Sequence, residues 1–145
     1  MNIKEYIKEQ RLITDGAMGT YYEEKYSEDT VIAEKENLKN PEQIKEIHLE
    51  YLRAGARLIR TNTFAANTMF LADMQEVKET VRAGYEIAKE AVTAFQAENG
   101  KEIPVFIGAD LGPIYDLDHQ DYDNVLQEYK EICDTFLSCG ADCFV

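Results

Sequence analysis

Three short polar clusters in this chain contain residue types that bind small polar ligands. Asp15-Gly16-Ala17-Met18-Gly19-Thr20 follows an apolar run and combines a carboxylate with two glycines. Because glycine lacks a Cβ, a turn that contains it lets the backbone approach a ligand closely. Thr61-Asn62-Thr63 and Gly108-Ala109-Asp110-Leu111-Gly112-Pro113 also follow apolar runs. Three such clusters predict a single site, built where several parallel strands end.

The apolar runs and the segments between them predict strands that alternate with helices. Short apolar runs predict four strands, at residues 12–14, 58–62, 105–109 and from 143 to the last residue. Apolar residues at helical spacing predict helices at residues 2–10, 41–54, 73–99 and 121–138. Residues 21–39 are polar, and we expect them to form a long irregular connection.

Several helix boundaries have specific end signals. Asn40 and Asp73 are suited to cap the helices that follow them, and Pro41 fits a first helical turn. Gly55 and Gly140 are placed to end helices. The inward face of the last helix is predicted to comprise Val125, Leu126, Tyr129, Ile132, Cys133, Phe136 and Leu137.

Composition excludes several classes of function. The 145 residues suffice for one domain, and the formal net charge of −13 disfavours nucleic acid and anionic membranes as partners. No apolar run is long enough to span a bilayer and no secretory signal is present, so we expect a cytoplasmic protein. The spacings of Cys133, Cys139 and Cys143 match neither a zinc knuckle nor a CxxC pair, which favours structural cysteines.

Alternating strands and long helices imply a parallel sheet with right-handed crossovers. A faint repeat aligns residues 51–59 with residues 136–144, and each segment combines a helix end, a glycine and the start of a strand. Repeated units of this kind suit a (β/α)₈ TIM barrel, which typically has about 250 residues. We therefore expect the amino-terminal half of such a barrel, with four parallel strands and intervening helices, truncated at strand four. A small open α/β sheet is the alternative. A half-barrel exposes sheet edges, so we also expect self-association.

The motifs together resemble the homocysteine S-methyltransferase family. The resemblance depends on Asp15-Gly16-Ala17-Met18-Gly19-Thr20, on Thr61-Asn62-Thr63-Phe64 and on the Gly108–Pro113 cluster. It also includes Asn40-Pro41 through His48, Tyr51 and Ala54-Gly55-Ala56. The family includes the amino-terminal domain of methionine synthase and the methyltransferase half of bifunctional enzymes with methylenetetrahydrofolate reductase.

This resemblance implies zinc-dependent transfer of a methyl group to the thiol of homocysteine, giving methionine, inside a (β/α)₈ barrel. Metal coordination deprotonates a thiol at neutral pH. The methyl donor is not specified; methylcobalamin, methyltetrahydrofolate and a sulfonium compound are the alternatives. The resemblance places six residues in the substrate pocket, with Asp15 accepting hydrogen bonds from the ammonium group and backbone N–H groups meeting the carboxylate: Asp15, Gly16, Ala17, Met18, Asn62 and Thr63.

The resemblance also implies what this chain lacks. The family's three zinc-binding cysteines and an acidic residue come from later strands, beyond residue 145. The chain alone is therefore expected to bind no catalytic zinc and to transfer no methyl group. Its partners would be homocysteine, the remaining half-barrel, and folate, cobalamin or reductase domains. The role of Asp110 is open, because the family more often has a Gly-Ser-type sequence at Ala109-Asp110.

Other interpretations remain at this point. The chain is alternatively a non-catalytic association module, or a barrel enzyme with an unrelated small substrate. His48 lies on an apolar helical stripe, which favours a packed histidine over a ligand. His119, with Asp116, Asp118 and Asp121, forms a cluster with cation-binding residue types, although a solvated loop is favoured.

Overall fold

A computed structural model describes residues 2–27, 29–115 and 122–145. The predicted cluster around His119 lies outside these residues. The described helices and strands follow one another in this order: α1 Ile3–Glu9, α2 Gly19–Tyr26, a 3₁₀ turn Ala33–Lys35, α3 Glu36–Lys39, α4 Pro41–Arg53, β1 Leu58–Arg60, α5 Met74–Asn99, β2 Phe106–Gly108 and α6 Tyr122–Ser138.

The sheet is parallel and follows chain order. β1 pairs with β2 in a register that places Leu58 opposite Phe106. Thr14 forms a single parallel bridge with Leu58, and Phe144 forms one with Ala109. The prediction of four strands is therefore not confirmed, because the first and last segments contribute one bridge each. All four segments nevertheless run in the same direction and in sequential order.

The long helices cover the sheet through apolar faces. α4 packs mainly on α5, and α5 also packs on α6. The predicted stripe of α5 is buried at Val77, Val81, Tyr85, Ala88 and Phe95. This arrangement holds the carboxyl ends of β1 and β2 at one edge of the sheet, where the predicted polar clusters begin.

Most of the predicted helix boundaries agree with the structure. The side chain of Asp73 accepts a hydrogen bond from the N–H of Glu76 and caps α5. Gly55 and Gly140 adopt φ angles of +112° and +90°, a conformation that other residues rarely adopt. Asn40 precedes α4 as predicted, but its side chain does not cap that helix. Its amide donates to Glu36 instead.

Two further predictions about local structure are wrong. Residues 21–39 are not an irregular connection, because they contain most of α2, the 3₁₀ turn and α3. Tertiary hydrogen bonds, such as those from the Tyr22 hydroxyl to Glu36 and Gln43, stabilise this polar segment where an apolar stripe is lacking. Leu126 and Leu137 were predicted to face inward but are 67% and 56% exposed. The stripe on α6 is wider than the surface that packs on α5.

Within the described residues, no helix is long and apolar enough to cross a membrane. Cys133, Cys139 and Cys143 are free thiols of intermediate burial. Burial raises the pKa of the Cys133 and Cys143 thiols.

Candidate substrate-binding site

An open cavity of about 420 Å³ lies at the carboxyl ends of the parallel segments. It brings together the first two predicted clusters and one residue of the third, Asp110. All six residues predicted for the substrate pocket line it, together with seven others: Asp15, Gly16, Ala17, Met18, Gly19, Thr20, Glu34, Arg60, Thr61, Asn62, Thr63, Phe64 and Asp110. The structure therefore brings residues from all three predicted clusters to one cavity.

Asp15 lies at the wall of this cavity and is bound to Arg60. Its two carboxylate oxygens accept hydrogen bonds from the backbone N–H of Arg60 at 2.8 Å and from Nε of Arg60 at 2.9 Å. Nη2 of Arg60 donates to the carbonyl of Gly16 at 2.9 Å. The Asp15 side chain is only 3% exposed, whereas that of Arg60 is 35% exposed. Asp15 therefore fixes the end of β1 and the guanidinium group of Arg60.

The turn after Asp15 offers backbone donors to the cavity. Among the described residues, the N–H groups of Gly16, Ala17 and Met18 have no hydrogen-bond acceptor. The Tyr51 hydroxyl donates to the carbonyl of Ala17 at 2.6 Å and holds the turn against α4. A Cβ on Gly16 would lie 2.8 Å from that hydroxyl oxygen, so a larger residue there would require the Tyr51 side chain to move. Unpaired N–H groups beside a cavity suit an anion such as a carboxylate.

Asn62 is held by a buried amide network. Its Nδ2 donates to the carbonyl of Ala33 and to Oδ1 of Asn37, both at 2.8 Å. Nδ2 of Asn37 donates in turn to the carbonyls of Asn62 at 2.8 Å and Thr80 at 3.1 Å. Because the Ala33 and Thr80 carbonyls can only accept, these bonds fix the orientation of both amides. Asn37 thus ties the end of β1 to α5.

Two hydroxyl groups connect the ends of β1 and β2. Thr63 donates through Oγ1 to the carbonyl of Asp110 at 2.8 Å, and the N–H of Asp110 donates to Oγ1 of Thr61 at 3.0 Å. The two threonine oxygens are 2.6 Å apart, and Thr61 is left as the donor between them. Thr61 and Thr63 are therefore positioned to fix the backbone of Asp110, and both are almost fully buried.

Among the described residues, three carboxyl groups and one cation line the cavity. Oε1 of Glu34 accepts the N–H of Ala65 at 2.8 Å, which accounts for one of its oxygens. Burial raises the pKa of Asp110 to about 6; the charges of Asp15 and Glu34 raise it as well, and Arg60 lowers it. Burial also raises the pKa of Asp15, although the hydrogen bonds and charge of Arg60 oppose that shift. With all four groups ionised the cavity is net negative, which favours a cationic group in the ligand.

Comparison with known proteins identifies the family. The sequence model described as homocysteine S-methyltransferase matches residues 12–145. The chain belongs to the homocysteine S-methyltransferase family. It is 32% identical over 112 residues to homocysteine S-methyltransferase of Escherichia coli (strain K12), and 27% identical over 155 aligned positions to methionine synthase of Mycobacterium leprae.

The fold is also that of a solved member of the homocysteine S-methyltransferase family. The metallated form of homocysteine methyltransferase MmuM from E. coli superposes with a TM-score of 0.83 over 98% of this chain, at 24% identity. Its apo form gives a TM-score of 0.75 at 29% identity. The chain spans 36% of the E. coli relative, 12% of the M. leprae methionine synthase and 55% of the metallated MmuM chain.

The sequence interpretation missed three residues of the site. Arg60 and Glu34 line the cavity, and Asn37 accepts a hydrogen bond from the Asn62 amide outside the cavity lining. Arg60 directly precedes Thr61-Asn62-Thr63, so a charge at the end of an apolar strand was the available signal. Glu34 and Asn37 lie in the polar segment predicted to be irregular, and their spacing carries no comparable signal.

The residues that the structure describes do not form a metal site. They include no group of three or more His, Cys, Asp or Glu side chains arranged to hold a metal ion. His48 is fully buried, and neither of its ring nitrogens has a hydrogen-bond partner within the described part of the chain. Burial lowers the pKa of His48 to about 4. It is packed, as its position on the apolar stripe of α4 predicts.

Proposed function

We propose that the whole protein to which these residues belong transfers a methyl group to the thiol of homocysteine, giving methionine. In that reaction the S–CH₃ bond forms as the bond between the methyl group and its donor breaks, and the thiol proton is lost. Membership of the homocysteine S-methyltransferase family and the identity with the E. coli enzyme support this proposal. Methylcobalamin and methyltetrahydrofolate are both candidate donors.

The part assigned to this chain is the binding of the amino-acid end of homocysteine. The single observation that carries it is the shared cavity, which is lined by Asp15, Gly16, Ala17, Met18, Asn62 and Thr63. The unpaired N–H groups of the Gly16–Met18 turn would meet the carboxylate. Net negative charge in the cavity would attract the ammonium group. Fixing both ends of the amino acid would direct the sulfur away from the wall, toward the methyl donor.

We further propose that the chain forms the amino-terminal part of a (β/α)₈ barrel. The sequential parallel order of its four segments and its coverage of about half of the MmuM chain support this assignment. Ile13, Phe144 and Val145 lie at the two sides of the sheet and are 58%, 40% and 51% exposed. We expect the isolated chain to self-associate through these edges. Light scattering that gives a monomer at all concentrations would contradict that expectation.

Zinc is proposed as the cofactor of the whole protein, held by residues beyond position 145. The described residues do not fit a zinc site, since they lack a suitable group of three ligands. The roles assigned to this chain therefore do not involve the metal. Metal analysis of the purified chain is expected to find substoichiometric zinc, and tight stoichiometric zinc would contradict the assignment of Cys133, Cys139 and Cys143.

Binding of homocysteine to the ¹⁵N-labelled chain tests the proposed function. We expect L-homocysteine to shift the amide resonances of residues 16–18 and 62–63, which line the cavity. D-homocysteine is the matched control, since it has the same charges and a different placement of its side chain. Equal shifts for both enantiomers, or shifts confined to residues far from the cavity, would contradict the proposal.

A further inference from the structure

The carboxyl groups of the cavity differ in how many hydrogen bonds they already accept within the protein. Asp15 has a side chain that is 3% exposed, and each of its carboxylate oxygens accepts a hydrogen bond from Arg60. Its charge is therefore balanced inside the protein. Glu34 is 8% exposed and holds the N–H of Ala65 through Oε1. Both groups are tied to the backbone of the cavity wall.

Asp110 is different, because only its backbone groups form hydrogen bonds within the described part of the chain. Its N–H donates to Thr61 and its carbonyl accepts from Thr63. Among the described residues, its carboxylate has no hydrogen bond or ion pair. The two threonines therefore hold the backbone of Asp110 while its side chain remains free at the cavity.

We infer that Asp110 is the carboxylate that binds the ammonium group of the amino-acid substrate, and that Arg60 neutralises Asp15 as a positioning residue. This inference rests on the proposed function. It changes the role expected for Asp15, which then orders the wall instead of receiving the ammonium group. Glu34, the third carboxylate at the cavity, adds negative charge without being the direct partner.

The electrostatic setting agrees with this assignment. Asp15 and Glu34 disfavour ionisation of Asp110, and Arg60 favours it. Since Asp15 and Arg60 form an ion pair, the nearby charge that remains unbalanced is that of Glu34. A bound ammonium group would add a second positive charge to that of Arg60 and stabilise the ionised form of Asp110.

A pair of ligands that differ only in the ammonium group tests the inference. L-homocysteine and 4-mercaptobutanoate share the thiol, the chain length and the carboxylate. Their affinities are measured by calorimetry for the wild-type chain and for Asp110→Asn, an uncharged replacement of the same shape. We expect the wild type to prefer homocysteine by about tenfold or more, the range of a charge-assisted hydrogen bond. Asp110→Asn should lose that preference, with little change for 4-mercaptobutanoate.

Two further variants separate the alternatives. Glu34→Gln should keep most of the preference, and Asp134→Asn, an exposed site on α6, should keep all of it. If Asp110→Asn keeps the preference, or Glu34→Gln is the variant that loses it, the inference is overturned while the proposed function stands. If the wild type binds neither ligand at the cavity, the proposed function fails, and the inference fails with it.

A measurement on the wild type avoids any effect of the substitution on folding. The carboxyl carbon of Asp110 is followed by ¹³C NMR across a pH titration, with and without each ligand. Homocysteine should lower the pKa of Asp110, because its ammonium group favours the carboxylate. 4-Mercaptobutanoate should leave that pKa unchanged or raise it. A pKa that responds equally to both ligands would overturn the inference.

Discussion

Replacement of Gly84 by alanine has two opposing effects on stability: a gain in helix propensity and a loss from steric crowding. Gly84 is buried within α5, on the side of the helix that faces the end of β1. A Cβ at this position would lie 2.8 Å from Nδ2 of Asn37 and 2.8 Å from Cγ2 of Thr63. It would also lie 3.4 Å from the carbonyl oxygen of Asn62. Contacts below 3.0 Å require one of these neighbours to move.

The expected cost exceeds the expected gain. Alanine is favoured over glycine in a helix interior by about 1 kcal/mol. Insertion of a methyl group into a packed site costs about 1–3 kcal/mol. Displacement of the Asn37 amide weakens its hydrogen bonds to two carbonyls, each contributing about 1 kcal/mol. Gly84→Ala should therefore lower the free energy of unfolding by about 1–3 kcal/mol, through steric crowding at the site.

Urea denaturation followed by circular dichroism measures this change. Gly19→Ala is the control for steric crowding, because Gly19 is the first residue of α2 and a Cβ there meets no atom within 4 Å. That control should be neutral or stabilised by up to about 1 kcal/mol. If Gly84→Ala is stabilised as much as Gly19→Ala, the crowding inferred around Asn37 and Thr63 is wrong. The side chains of Asn37 and Thr63 would then be able to accommodate a methyl group at position 84 without loss of their hydrogen bonds.

Three other perturbations test the buried polar groups. Asn37→Ala should lower the free energy of unfolding by about 2–3 kcal/mol, because the buried Asn62 and Thr80 carbonyls lose a donor. The control is Asn99→Ala, which removes one hydrogen bond, from an exposed side chain to the carbonyl of Phe95, and should cost no more than about 1 kcal/mol in the same urea denaturation. Because the buried neutral His48 has a pKa of about 4, its contribution to stability should fall as the pH drops from about 6.5 to 4, and His48→Leu should remove that component of the pH profile. Asp110 acts in the opposite direction: its pKa of about 6 means that the folded state retains a proton which the unfolded chain loses above about 4. The contribution of Asp110 to stability should therefore decrease as the pH rises from about 4 to 6, which opposes the contribution of His48 in the wild type, and Asp110→Asn should remove this component. A pH profile that neither variant changes would contradict both assignments.

Local sequence was sufficient to predict the elements with strong boundary signals. Asp73 and the stripe that starts at Val77 define α5 without any tertiary information. Gly55 and Gly140 end their helices with positive φ, which a side chain would resist. In the segment containing α2 and α3 the sequence gives no such signal, because its helices depend on hydrogen bonds to residues of α4 such as Gln43.

The candidate site was predictable in its location and less so in its chemistry. Parallel strands end at one edge of the sheet, so Asp15 and Asn62 could be placed together from their positions alone. The ion pair between Arg60 and Asp15 could not be predicted. This ion pair depends on the register between residue 14 and β1. That register is set only when the two whole segments pair in the folded chain. Asn37 was missed for the same reason, since its partners are 25 and 43 residues away along the chain.

The polar residues of the site differ in whether their hydrogen-bonding groups are already paired, and this difference explains why a zwitterion suits the cavity. Asn62, Thr61 and Thr63 direct their hydrogen bonds to backbone groups, to Asn37 or to each other. Their bonds hold the strand ends in place, and they leave two kinds of group available to a ligand. One kind is the set of free N–H donors that begins at Gly16, and the other is the carboxylate of Asp110. A ligand that carries an anion and a cation on one carbon can satisfy both at once, whereas a simple anion or a simple amine satisfies only one.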